Sequence, residues 1–182
     1  MHGKPVGINN TPGSQVWGGG ESQVVPFGGE NGLAMLIRAR TIFSGSIDKE
    51  YKARDVSHNH ALTFSSDGGE TWANSTRMSG IKTVYCEGSL AAADNGDLLM
   101  SSPDTGNGVR ANLTVWAAKK GSPTDFEYLL TIYRGSSAYS SMISLNSVKV
   151  NEGAVNGVNG EYINLFEREN SKFISLARFA YP

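Results

Sequence analysis

"SSDGGETW", Ser65 to Trp72, decides how the rest of the chain is read. It holds an acid, two adjacent glycines and a closing tryptophan, directly after the strand-like run HNHALTF. Asp67 can accept hydrogen bonds from nearby backbone N–H groups, Gly68 and Gly69 can supply positive φ, and Trp72 can pack beneath the turn. A calcium loop would need more oxygen ligands at alternate positions and a bidentate acid at its end, which are absent. The octapeptide is a folding device. It matches the Asp-box pattern Ser-x-Asp-x-Gly-x-Thr-Trp at Ser65, Asp67, Gly69, Thr71 and Trp72.

Outward from the turn, short apolar or alternating runs recur on both sides. They include SQVVPF, GLAMLIRAR, GSLAAAD, DLLMSSP, ANLTVWA, FEYLLTIY, SSMISL, EYINLF and KFISLARF. Turn chemistry such as GGENG, DNGD and NGVNG separates many of them, and no long stretch repeats apolar residues at helical spacing. The 22 glycines and the 18% of charged residues fit many short strands better than helices. RARTIFSGSIDKEYKARD is read as a long loop, and residues 1–20 as an irregular Gly/Pro-rich segment. The strands fall into three groups, Glu21–Tyr85, Glu87–Ile132 and Ala138–Phe179, the last with three clear strands. Four-stranded sheets in sequence are the pattern of propeller blades, and a closed propeller needs at least about four. The chain therefore reads as part of a ring.

The bulk numbers exclude several classes. Lys plus Arg number 16 and Asp plus Glu 17, a net charge of −1, which suggests neither a nucleic-acid nor a membrane partner. No apolar run approaches the roughly 20 residues of a membrane span. Cys86 is the single cysteine, so no internal disulfide forms, and it reads as a buried small hydrophobe. The start of the chain lacks the apolar stretch of a signal peptide, and the compartment stays open. His58 and His60 alternate on one strand face but lack further ligands, so no metal site is assigned.

Four segments occur in a telling order: ESQVVPF with GLAMLIRAR, then RANLTVW, then GSSAYSSM, then YINLFERENSKFISLARF. Together they resemble the C-terminal half of an exo-α-sialidase (neuraminidase) of the bacterial and lysosomal type, from about Glu21 to Phe179. The resemblance implies an all-β fold, a partial β-propeller of about three four-stranded blades out of six, over residues 21–182. It implies retaining hydrolysis of terminal sialic acids from glycoproteins, glycolipids or oligosaccharides, with no cofactor. A secreted or lysosomal location would follow if the parent chain carries a signal peptide.

The chemistry explains the residue types. Sialic acid carries a carboxylate on its anomeric carbon, and a guanidinium is the natural clamp for it. The resemblance assigns clamp roles to Arg40, 19 residues after Glu21, and to Arg110, which opens RANLTVW. Arg38 competes with Arg40, and the x-Ala-Arg alignment favours Arg40. A carboxylate nucleophile would repel the substrate's own carboxylate, whereas a phenol avoids this and a nearby carboxylate can take its proton. Tyr139 resembles the family's nucleophile, Glu21 the glutamate that activates it, and Glu167 a supporting glutamate that orients a clamp arginine. Glu87 in YCEGSL is a rival carboxylate for which a structural role is favoured.

Two family parts have no counterpart: the first clamp arginine of an N-terminal RIP-type motif, and the acid/base aspartate. The expectation is a chain that acts with a missing N-terminal half and turns over little substrate alone. The alternatives are a non-catalytic carbohydrate-binding propeller and a trans-sialidase.

Overall fold

Leu98, Leu99 and Met100 are consecutive, and each has 0% exposure. Successive strand side chains point to opposite faces, so such a run needs a packed layer on each side. The computed structural model has both layers. It describes residues 16–42, 60–78, 81, 83–84, 86–104, 109–145 and 160–182, with backbone alone at 16–19, 39–42 and 77.

Ten strands are present: β1 Val16–Pro26, β2 Leu33–Ile42, β3 His60–Ser65, β4 Thr76–Arg77, β5 Ser89–Ala92, β6 Leu98–Pro103, β7 Ala111–Ala118, β8 Glu127–Ser144, β9 Glu161–Arg168 and β10 Phe173–Ala180. No α-helix occurs among the described residues, so none there is long and apolar enough to cross a membrane. One sheet has the order β1-β2-β3-β4 and the other β10-β9-β8-β7-β6-β5. Within the second, β8 serves two leaves. Up to Ser136 it pairs with β7, and from Ser137 it pairs with β9. The chain is thus three antiparallel leaves in sequence, all-β as expected, and the third leaf has three strands.

The leaves stack through two cores. Val25, Ala34, Leu36 and Leu62 of the first meet Leu90, Leu98, Met100 and Trp116 of the second. On the opposite face of the second leaf, Leu99 and Val115 meet Met142 and Tyr162 of the third. Each fully buried leucine stabilises the stack by about 1.5–3 kcal/mol. The third leaf's outer face stays open, with Ile174 at 69% and Leu176 at 61% exposure.

The first strand of each leaf meets its neighbour at a common axis. Gln23 Oε1 on β1 accepts from Ser89 Oγ at 2.7 Å and from Leu90 N at 2.8 Å on β5. Ser89 Oγ in turn accepts from Met142 N on β8 at 2.7 Å. Three inner strands are therefore joined side by side, with β5 in the middle.

The Ser65–Trp72 turn links β3 to β4. Asp67 accepts from Thr71 N at 2.9 Å and Ser65 Oγ at 2.7 Å, and Ser65 Oγ accepts from Gly69 N at 2.9 Å. Gly68 and Gly69 have φ of 72° and 93°, which only glycine takes without strain. Trp72 Nε1 donates to Gly69 O at 3.1 Å.

Three boundaries differ from the sequence reading. FEYLLTIY and SSMISL, read as separate strands, are joined in the single strand β8, which passes from the second leaf to the third. β1 begins at Val16, inside the segment read as irregular, and residues 1–15 lie outside the described residues. Arg38–Ile42, read as the start of a loop, belongs to β2 because Val16–Gly19 supplies its pairing partners. Residues 43–59, including His58, lie outside the described residues.

Candidate functional site

Glu21 and Tyr139 each sit in a β-bulge. Between the Gly19–Ala39 and Ser22–Ile37 pairs, Gly20 and Glu21 together oppose Arg38. Between the Ser137–Arg168 and Ser140–Phe166 pairs, Ala138 and Tyr139 together oppose Glu167. A bulge bends its strand and re-aims a side chain, which is why bulges collect beside active sites. A third register shift falls between Ala111 and Leu113, where Asn112 has φ of 54°. Asparagine tolerates this left-handed conformation better than most residues. Arg110 lies just upstream, and its carbonyl accepts from Ser137 N at 3.1 Å. That bond ties Arg110 to the strand that carries Tyr139.

The side chains converge. Arg38 Nη1 donates to Glu21 Oε2 and to Tyr139 Oη, the latter at 3.3 Å. The Arg38 guanidinium carbon lies 5.9 Å from the Tyr139 ring centroid and that of Arg110 lies 5.3 Å from it. Two cations thus lie within about 6 Å of one phenol ring, a favourable contact for a ring with a negative face. Arg38 is 9% exposed, whereas the Glu21 side chain is 43% exposed. Val84 and Cys86 pack with Ala138 against Tyr139 from below. Burial pushes the Cys86 thiol up to about 11, so it is a packed thiol and not a nucleophile.

Behind Arg38 stands its β3 partner His60, 1% exposed, with Nδ1 3.0 Å from Thr83 Oγ1. Burial, aided by the Arg38 charge and opposed by a bond to Cys86, lowers its pKa to about 4, so the ring is neutral. Glu87 is half-buried. Its carboxyl is pushed above the ordinary value, first by burial and then by repulsion from Glu21, while Arg38 opposes and Glu167 adds to the shift. Glu167 itself accepts from Ser171 Oγ at 2.6 Å.

Of the sequence-derived candidates, Glu21, Tyr139 and Arg110 come together. Glu167 stands opposite the Tyr139 bulge. Arg40 lies in β2 opposite Gly18, and its side chain is outside the described residues. Arg38 joins the cluster, although the x-Ala-Arg alignment favoured its neighbour. The signal that would have found it is the register: Arg38 is the residue opposite the Glu21 bulge. Trp116 is core at 5% exposure, and Trp72 belongs to the turn.

The fold is that of sialidase β-propeller domains. An intramolecular trans-sialidase from Ruminococcus gnavus matches at 17% identity with a TM-score of 0.58, over 96% of this chain and 35% of that one. The leech intramolecular trans-sialidase matches at 18% and 0.57, over 96% of this chain and 25% of its own. The NanB sialidase of Streptococcus pneumoniae matches at 18% and 0.55, over 86% and 21%. The chain therefore spans about a third or less of these structures. No family profile matches it, and no curated protein matches it in sequence.

Proposed function

We propose that this chain is the C-terminal half of an exo-α-sialidase propeller that removes terminal sialic acids with retention. The observation that carries this is the Arg38 guanidinium bonded to both Glu21 and Tyr139, with the Arg110 guanidinium carbon 5.3 Å from the same phenol ring.

Arg38 and Arg110 hold the substrate carboxylate by charge-assisted hydrogen bonds. Tyr139 Oη attacks the anomeric carbon as the glycosidic C–O bond breaks, and Glu21 takes the phenol proton. The leaving oxygen receives its proton from an acid that the missing half supplies. Water, giving its proton to the conjugate base of that same acid, then cleaves the tyrosyl glycoside, and Glu21 returns the proton to the phenolate. Glu167, opposite the Tyr139 bulge, has the supporting role of orienting the first clamp arginine, which the missing half supplies. Arg40 remains the alternative to Arg38 as clamp.

Two arms test this reading. The chain alone should release no fluorophore from a fluorogenic sialoside, and measurable turnover would refute the need for a second half. In the restored full-length protein, Tyr139→Phe should abolish hydrolysis and leave sialic acid binding intact. Unchanged hydrolysis would favour a non-catalytic, carbohydrate-binding role for these residues. Transfer to an acceptor other than water uses the same groups, and product analysis separates trans-sialidase from hydrolase.

A further inference from the structure

The axis bonds put three inner-strand positions in register. Glu21 precedes Gln23 by two residues on β1, and Glu87 precedes Ser89 by two residues before β5. Tyr139 precedes Met142 by three on β8, and Arg38 Nη1, bonded to both Tyr139 and Glu21, holds the two level. Since Gln23, Ser89 and Met142 bond to one another in series, Glu21, Glu87 and Tyr139 form one tier across three adjacent strands. Glu87 holds the middle place. The segment before it packs through Val84 and Cys86 against Ala138 and Tyr139.

The charges of this tier do not balance. Glu21 and Glu167 both act on Glu87, two guanidiniums, Arg38 and Arg110, stand near them, and the His60 ring beside Gly88 is neutral. A bound carboxylate ligand would add a fourth negative group. Like charges in one partly desolvated site cannot all stay ionised, and the one that burial disfavours most takes the proton. Glu21 is exposed and bonded to Arg38, and Glu167, partly buried like Glu87, accepts from Ser171, whereas burial acts first on Glu87.

We infer that Glu87 is a further positioning residue of the site, which takes up a proton when an anionic sugar binds between Arg38 and Arg110. This rests on the sialic-acid reading above. Neutral Glu87 leaves Arg38 to the ligand and offers a hydroxyl donor to a sugar oxygen, which an ionised carboxylate would repel. The direction of its titration, raised by burial and by Glu21, agrees with this. Affinity then rises as pH falls, with a limit of about tenfold per pH unit for one linked proton.

The test is calorimetric titration of the restored full-length protein with N-acetylneuraminic acid in buffers of different ionisation enthalpy, across about pH 5 to 8. Wild type should take up a fraction of a proton per ligand, as one linked group allows. Glu87→Gln should remove that uptake, flatten the pH slope and bind at neutral pH at least as tightly as wild type. Circular dichroism checks that the variant is folded, and Glu167→Gln is the comparison. Uptake that persists in folded Glu87→Gln, or that vanishes only in Glu167→Gln, overturns the inference. Absence of wild-type binding at any pH would instead defeat the sialic-acid reading, and the inference with it.

Discussion

Arg38 Nη1 lies 3.3 Å from Tyr139 Oη, although 101 positions separate the two residues in the chain. The same nitrogen bonds Glu21, so one buried guanidinium links the expected nucleophile to the expected base. It holds both groups in place before any ligand arrives, which is the kind of preorganisation that positioning depends on.

Arg38→Ala should weaken binding of N-acetylneuraminic acid by about 10- to 100-fold, the worth of a charge-assisted contact. Arg40→Ala should change it far less. Isothermal titration of both variants decides between the two arginines, and the reverse order would restore Arg40 as the clamp.

His60 predicts an acid-sensitive fold. Its pKa falls to about 4 in the folded state because burial disfavours the charged ring. The unfolded chain takes up this proton near the ordinary value of about 6.5. Stability is therefore complete above that pH and declines as pH falls toward about 4, by roughly 3 kcal/mol in all. His60→Gln should flatten this part of the profile in thermal unfolding.

Gly88→Ala should destabilise. A Cβ there would lie 2.8 Å from His60 Nε2 and 3.0 Å from the Ser101 carbonyl. A shift of the packed ring would cost about 1–3 kcal/mol, readable as a lower urea midpoint. An unchanged midpoint would mean the pocket around His60 is loose.

Asp67 is held down to about 2, chiefly by the Thr71 hydroxyl and backbone N–H, then by Ser65. A depressed carboxyl stabilises above its unfolded value and loses that contribution as pH falls through the folded one. Asp67→Asn should lower the melting temperature at neutral pH, and the gap to wild type should close between about pH 4 and pH 2. A gap independent of pH would assign the effect to shape and not to charge.

Ile174 and Leu176 present an apolar face at the open end of the stack. Such a face drives association. Ile174→Lys with Leu176→Lys should raise the soluble fraction and reduce light scattering, with unchanged circular dichroism. No change in scattering would mean that this face stays uncovered without consequence.

The amino-acid order by itself determined the strand character, the turn at Ser65–Trp72 and the three groups of strands. These follow from local patterning: alternation of apolar residues, glycine at positive φ, and an acid placed to cap its own turn. Glu21, Arg110 and Tyr139 were legible through motif order, which carries residue identity. Arg38 was not, because its place opposite the Glu21 bulge depends on an extra residue in the partner strand. Only tertiary pairing creates that bulge, and only the axis bonds between β1, β5 and β8 place Glu87 level with Glu21 and Tyr139. Register and long-range convergence arise from the pairing of distant segments, so no single stretch of sequence contains them.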